Sequence, residues 1–218
     1  MRAVVFDLDG LLIDSEPLWQ QVEIAAFGAL GIPLTAADAA ETTGLRIDAV
    51  VAHRYTPSGG GPSREAVTAD IVARMVAAVT DRGVALPGAV DAVAAARAVA
   101  DRIGLASSSP RVLIDAALAR LGLSGAFDAV ASAEGEPYGK PHPAVYLTLA
   151  ARLGVEPARC LAVEDSVNGM IAAKAARMRC AVVPEPHAFA DPRFGLADAR
   201  LRSLTALDRA AVAGLLGA

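Results

Sequence analysis

Five short apolar runs, separated by helical patterns, constrain the possible fold of this chain more than any other feature. They are AVVFDL (3–8), RIGLAS (102–107), FDAVAS (127–132), CLAVED (160–165) and CAVVPE (180–185). Runs of this length are typical of strands buried on both faces. Capping residues and helical periodicity predict helices over 88–100, 110–121, 141–153 and 166–178. The alternation predicts an α/β fold, a Rossmann-like parallel sheet with helices on both faces.

Residues 16–82 interrupt this alternation. Their periodicity and capping residues predict helices over 16–30, 35–42, 46–55 and 63–81, and they contain no convincing strand pattern. The TPSGGGP segment at 56–62 is typical of a flexible turn between two helices. We therefore expect an inserted α-helical domain over 15–83, with the core formed by 1–14 and 84–218.

Net charge, apolar runs and cysteine content together narrow the possible binding partners and the cellular location of this chain. The formal net charge is −4, with 20 basic and 24 acidic residues mixed along the chain, so no basic stripe favours nucleic acid or a membrane surface. No apolar run reaches the ~18 residues of a membrane span. Asp7 and Asp9 stand where a signal peptide would need an uninterrupted apolar stretch. Cys160 and Cys180 are expected to be reduced core residues. We expect a cytoplasmic monomer whose partner is a small solute.

Acidic residues end several of the predicted strands. The carboxyl ends of parallel strands share one edge of a sheet, where ligands bind, so Asp7, Glu164 and Asp165 are expected to meet. Carboxylates this close in a partly dry crevice repel one another unless a cation lies among them. Mg²⁺ prefers oxygen ligands and is often held by one or two carboxylates and a substrate phosphate. The sequence therefore predicts a Mg²⁺ site, with Lys140 helping to balance the charge.

Four motifs in order carry a family resemblance. FDLDGLLIDSEPLW (6–19), LASSSP (105–110), GKPHP (139–143) and VEDSVNGM (163–170) together resemble the haloacid dehalogenase superfamily of phosphohydrolases. The place of the helical insertion, directly after the first motif, is similar to the subfamily with a small α-helical cap. Further details, such as SEPLW and GLRID, resemble sugar-phosphate phosphatases of the 2-deoxyglucose-6-phosphate or hexitol-phosphate type.

The resemblance assigns catalytic roles to individual residues. Asp7 would attack phosphorus and form an aspartyl-phosphate, and Asp9 would be the general acid and then the general base. The Ser107 hydroxyl and the Ser108 amide would hold phosphate oxygens at a helix N-terminus. Lys140 would neutralise both the nucleophile and the transferring phosphoryl group.

The same resemblance implies the metal ligands. Mg²⁺ would be bound by the carboxylates of Asp7 and Asp165 and by the main-chain carbonyl of Asp9. Glu164 would support this set.

Three residues of the cap are candidates for contact with the substrate. Arg46 matches a cap arginine that contacts phosphate in similar family members, and Glu16 and Trp19 lie at the cap entrance. A surface arginine at 46 and a packing role for Trp19 are the alternatives. The implied substrate is a small phosphorylated sugar or polyol, such as 2-deoxyglucose 6-phosphate, a hexose 6-phosphate or a hexitol phosphate.

Two other functions remain open at this point. A β-phosphoglucomutase-type phosphotransferase would share every core motif but typically has a histidine where Trp19 stands, so Trp19 favours hydrolysis. A non-catalytic phosphoacceptor module would also place aspartates and a lysine on a parallel sheet. The helical insertion and Asp9 favour turnover over such a switch.

Overall fold

A parallel sheet forms the centre of the molecule. The computed structural model describes residues 1–42, 44–58 and 60–217, apart from the side chain of residue 40. Its strands are Ala3–Phe6 (β1), Arg102–Ser107 (β2), Ala129–Ser132 (β3), Cys160–Glu164 (β4), Arg179–Val182 (β5) and Ala199–Arg200 (β6). Their order is β3-β2-β1-β4-β5-β6, with parallel pairing throughout. The connections diverge on the two sides of β1, which leaves a crevice at its carboxyl end.

Helices cover both faces of the sheet, as the alternation predicts. The helices are Glu16–Ala29 (α1), Ala36–Ala40 (α2), Ile47–Arg54 (α3), Arg64–Arg82 (α4), Ala89–Val99 (α5), Arg111–Arg120 (α6), Ala144–Leu153 (α7), Val167–Ala175 (α8) and Arg209–Leu216 (α9). Successive side chains of a strand point to opposite faces. Val4 and Phe6 accordingly pack with α5, α6 and α9, whereas Ala3 and Val5 pack with α7 and α8.

Helices α1 to α4 form the inserted helical unit, which we call the cap. Two antiparallel segments connect it to the core: the amide of Asp14 donates to Val84 O at 2.9 Å and that of Leu86 to Leu12 O at 3.1 Å. Within the cap α1 packs on α4, and α4 also packs on α6 of the core. The inserted helical cap is thus confirmed, whereas the exact limits of 15–83 stay a prediction. Of the predicted turn at 56–62, residue 59 lies outside the described residues.

The helix predicted over 141–153 begins three residues late, at Ala144. A residue that precedes proline is disfavoured in the helical conformation, and His142 precedes Pro143. Pro143 is the N-cap residue of α7. Lys140 therefore lies in a turn before the helix and not at its N-terminus.

The last strand and the last helix were not predicted. β6 spans two residues, too few for a periodic pattern. For α9 a signal exists, because the Asp208 side chain accepts from the amide of Ala211 as an N-cap. Among the residues that the structure describes, no helix has both the length and the apolar character needed to cross a bilayer.

Candidate active site

A cavity lies where the carboxyl ends of β1, β2 and β4 meet the cap. Its volume is about 60 Å³. The core contributes Asp7, Asp9, Ser107, Ser108, Ser109, Lys140 and Asp165 to its lining, and the cap contributes Glu16, Trp19, Gln20, Glu23 and Thr42, among others. The predicted site residues therefore line one cavity, except Arg46 and Glu164; Glu164 lies just behind the lining, in contact with Lys140.

Lys140 occupies the centre of the core half of this site. Its side-chain nitrogen Nζ donates to Asp7 Oδ1 at 2.7 Å, to Glu164 Oε1 at 2.6 Å and to the carbonyl of Ala106 at 3.1 Å. Burial alone would lower the pKa of Lys140, but the two carboxylates outweigh it and the pKa is raised. Lys140 is therefore a permanent cation beside the predicted nucleophile.

Glu164 is fully buried and holds Lys140 in place. Its Oε1 also accepts from the hydroxyl of Tyr146 at 2.5 Å, and its Oε2 accepts from the hydroxyl of Ser166 at 3.3 Å and the amide of Asp165 at 3.2 Å. Tyr146 was not among the predicted site residues. The signal in the sequence is that Tyr146 lies with Val145, Leu149 and Leu153 on the apolar side of the predicted helix, and a tyrosine hydroxyl buried there needs a hydrogen-bond partner.

Gly169 makes room for the Glu164 carboxylate under the first turn of α8. A Cβ atom at Gly169 would overlap the carboxyl carbon and both oxygens of Glu164. We expect Gly169→Ala to push Glu164 and Lys140 out of position. The expected result is a loss of roughly 100-fold in kcat/KM and about 1–3 kcal/mol in the free energy of unfolding, measured by phosphate release and urea denaturation.

Gly214→Ala is the matched control for this change. Gly214 is also a helical glycine, in α9, but its added Cβ would meet no atom of the described residues within 4 Å. Alanine stabilises an unobstructed helix position by up to about 1 kcal/mol. An active, stable Gly169→Ala variant would contradict the tight position of Glu164.

Asp9 faces a different set of partners from Asp7. Its Oδ1 accepts from the hydroxyl of Ser15 at 2.8 Å and from the indole N–H of Trp19 at 3.3 Å. Its Oδ2 accepts from the hydroxyl of Ser109 at 2.7 Å and from that of Ser107 at 3.3 Å. Ser15 and Ser109 were not predicted, although both stand inside the quoted motifs. The two aspartates thus end one strand in different surroundings, one beside a lysine and one beside neutral donors.

Asp7, Glu164 and Asp165 form a compact group of oxygen donors. One ligand atom from each lies within 4.8 Å of the others. Burial raises the pKa of Asp7 to about 7 against the attraction of Lys140, with Glu164 adding to the rise. Burial, followed by repulsion from Glu164 and Asp7, raises the pKa of Asp165 well above its usual range. Three carboxylates beside one lysine leave negative charge unbalanced, so the donor set fits a hard divalent cation.

Gly10 brings the main chain close to this group. Its φ is +71°, a conformation that glycine adopts without strain. A Cβ at Gly10 would also collide with the Asp165 carboxylate. The backbone after Asp9 therefore passes close to the Asp165 carboxylate.

Arg46 joins the cap to the core outside the cavity. Its guanidinium donates to Asp48 at 2.6 Å through two nitrogens. It also donates to the carbonyls of Ala133 at 2.9 Å and Glu136 at 2.7 Å in the core. The phosphate contact predicted for Arg46 requires the guanidinium to leave these partners.

Comparisons with known proteins identify the family to which this fold belongs. The family model of the haloacid dehalogenase-like hydrolases matches residues 1–177. Hexitol phosphatase B of Escherichia coli K12 is 50% identical over 207 residues, 94% of this chain and 93% of that protein. The crystal structure of CbbY from Rhodobacter sphaeroides with phosphate has a TM-score of 0.83 and 28% identity, over 95% of this chain and 96% of that chain.

A β-phosphoglucomutase from Clostridium difficile also resembles this chain. Its TM-score is 0.84 at 22% identity, over 100% of this chain and 97% of that one, a likeness that concerns the fold alone. The extent of the family match, together with the half-identical phosphatase, leads to one conclusion: the chain belongs to the haloacid dehalogenase-like hydrolases and is a phosphatase.

Proposed function

We propose that this protein is a Mg²⁺-dependent phosphomonoester hydrolase of the cytoplasm that acts on small phosphorylated sugars or polyols. The substrates would be hexitol phosphates, hexose 6-phosphates or 2-deoxyglucose 6-phosphate, and the reaction would pass through an aspartyl-phosphate. The observation that carries the proposal is the pair Asp7 and Asp9, which line one cavity in separate environments. The similarity to hexitol phosphatase B supports the substrate class.

Asp7 would act as the nucleophile. Lys140 holds Asp7 Oδ1 at 2.7 Å, so the carboxylate is oriented before the substrate arrives. The attack forms a bond between an Asp7 oxygen and phosphorus and breaks the bond from phosphorus to the ester oxygen. Ser107, the Ser108 amide and Lys140 would stabilise the transferring phosphoryl group, whose charge is spread over its oxygens.

Asp9 would act as the general acid and then as the general base. It would give a proton to the departing alcohol and then take one from the water that hydrolyses the aspartyl-phosphate. Four neutral donors now surround its carboxylate. We expect Asp9 to exchange some of these hydrogen bonds for the ester oxygen when the substrate binds.

The carboxylates of Asp7 and Asp165 and the main-chain carbonyl of Asp9 would hold Mg²⁺, with Glu164 as support. When bound, the ion supplies positive charge to the phosphoryl oxygens. Without it, Lys140 is the one cation among the described residues that contacts this group of acids.

The size of the cavity implies movement of the cap. Ligand pockets commonly have volumes of ~300–1,000 Å³, whereas this cavity measures about 60 Å³. We expect the cap to open for entry and to close over the bound ester, which excludes bulk water during transfer.

The test is phosphate release from a panel of phosphorylated metabolites, with kcat/KM measured for each. We expect repeated turnover on hexitol and hexose phosphates with Mg²⁺, loss of activity with a chelator, and recovery when Mg²⁺ is restored. Full turnover in the chelator would contradict the metal requirement. Interconversion of hexose 1- and 6-phosphates without phosphate release would indicate a mutase instead, and a single turnover would indicate a phosphoacceptor switch.

A further inference from the structure

Glu23 is a cavity residue of the cap that the proposed chemistry does not use. Glu16, Trp19, Gln20 and Glu23 all line the cavity, and their spacing of three, four and seven residues places them on one face of α1. Glu23 is 7% exposed. It is therefore a buried acid on the wall that faces the core motifs.

The Glu23 carboxylate is incompletely satisfied. Its buried Oε2 accepts no hydrogen bond from the residues that the structure describes. Arg54, the cation that attracts it, donates through Nη2 to the carbonyl of Asp38 and to the hydroxyl of Thr42, and its buried Nε has no partner among the described residues either. Burial raises the pKa of Glu23 to about 7, and the attraction of Arg54 opposes this only in part. A buried acceptor without a hydrogen bond lowers the stability of the folded protein, and a ligand that supplies a donor would remove this penalty.

The position of Glu23 relative to the reacting groups follows from its distance from Trp19 along α1. The Trp19 indole nitrogen lies 3.3 Å from Asp9 Oδ1, so Trp19 marks the end of the cavity where the ester oxygen would lie. Glu23 is four residues further on, about 6 Å along the helix axis. A substrate whose phosphate meets Asp7 would therefore extend its far end towards Glu23.

We propose that Glu23 is a specificity-determining residue whose carboxylate accepts hydrogen bonds from the distal hydroxyls of a five- or six-carbon phosphorylated polyol or sugar. This inference rests on the proposed function. Hydroxyl donors suit the site because they satisfy the acceptor without adding charge. A three-carbon ester such as glycerol 3-phosphate carries its hydroxyls close to the phosphate and would leave Glu23 unpaired.

The experiment compares wild type with Glu23→Leu and Glu23→Gln on three substrates: sorbitol 6-phosphate, glycerol 3-phosphate and p-nitrophenyl phosphate. A hydrogen bond to a charged group corresponds to a factor of roughly 10 to 100 in binding. We expect Glu23→Leu to lower kcat/KM for sorbitol 6-phosphate, relative to p-nitrophenyl phosphate, by that factor. The preference for sorbitol 6-phosphate over glycerol 3-phosphate should fall equally, and Glu23→Gln, which keeps one acceptor, should lie between wild type and Glu23→Leu.

Glu41→Gln is the matched control, because Glu41 is an exposed cap residue outside the cavity. Its substrate ratios should equal those of wild type. Thermal unfolding checks the fold: Glu23→Gln keeps the side-chain shape and removes a desolvated charge, so its melting temperature should not fall. If Glu23→Leu unfolds, the ratios of Glu23→Gln decide.

The outcomes separate this inference from the proposed function. Failure of the wild type to hydrolyse any sugar or polyol phosphate would overturn the proposed function. A wild type that prefers sorbitol 6-phosphate, with variants at position 23 that keep the same substrate ratios, would overturn the role of Glu23 alone. A loss confined to sorbitol 6-phosphate would establish the role.

Discussion

Replacing Asp7 with Asn is expected to lower the rate of phosphate release by at least about 10⁴-fold, the scale seen when a nucleophile is removed from an enzyme. The amide has nearly the same shape as the carboxylate but is a poor nucleophile towards phosphorus. Burial raises the pKa of Asp7 to about 7, so a neutral side chain at this position should not destabilise the fold. The measurement is steady-state phosphate release together with acid quenching, which should trap a phosphorylated enzyme in wild type but not in Asp7→Asn.

The control for Asp7→Asn is Asp14→Asn in the same segment. Asp14 is exposed and lies where the chain enters the cap, outside the cavity lining. Its replacement should leave both phosphate release and trapping unchanged. Normal turnover by Asp7→Asn would rule out the covalent mechanism and would leave direct attack by water as the alternative.

Replacing Lys140 with Met is expected to cost both activity and stability. Met is similar in length but removes the cation that contacts Asp7 at 2.7 Å and Glu164 at 2.6 Å. Two buried carboxylates then face each other without their partner, and breaking a buried ion pair in this way costs about 3–5 kcal/mol. Urea denaturation should show this loss, and kcat should fall by roughly 10³-fold because the phosphoryl charge loses its main protein cation.

Two further variants isolate the cause of the Lys140 effect. Lys174 is the second lysine of the chain and pairs with Asp198 at the surface at 2.7 Å, so Lys174→Met should cost less than about 1 kcal/mol. The double variant Lys140→Met with Glu164→Gln removes one of the unpaired charges. It should recover part of the stability but none of the activity, and equal losses in both variants would contradict the charge argument.

Much of the core could be predicted because its signals are local. The strand at 102–107 has the predicted limits, since an apolar run with a polar end carries its own boundaries. The helix over 16–30 is observed as Glu16–Ala29, because Gly31 and Pro33, which follow it, are local signals that end a helix. Prediction fails where two local signals compete. Pro141 favours a helix start, but Pro143 disfavours the helical conformation at His142, so α7 begins only at Ala144.

The partners of the site residues could not be predicted in the same way. The sequence placed Glu164 in support of a metal site, and its carboxylate does lie with those of Asp7 and Asp165, but its hydrogen bonds with Tyr146 and the start of α8 were not predicted. It placed Arg46 near the phosphate, whereas the structure places it on main-chain carbonyls of the core. These partners are up to 90 residues away in the chain, and no periodicity connects them.

The sequence by itself determined the alternation of strands and helices, the position of the insertion and the residue types at the strand ends. These follow from side-chain periodicity and capping, which depend on neighbours a few residues apart. Only the tertiary structure decided which donors surround Asp9, which acid holds Lys140 and that Glu23 faces the cavity. The surroundings of Asp9 and of Glu23 depend on how the cap packs against the core, and the contact of Glu164 with Lys140 depends on how the core strands and loops pack together. In each case tertiary packing brings distant residues within hydrogen-bonding distance and removes water from between them.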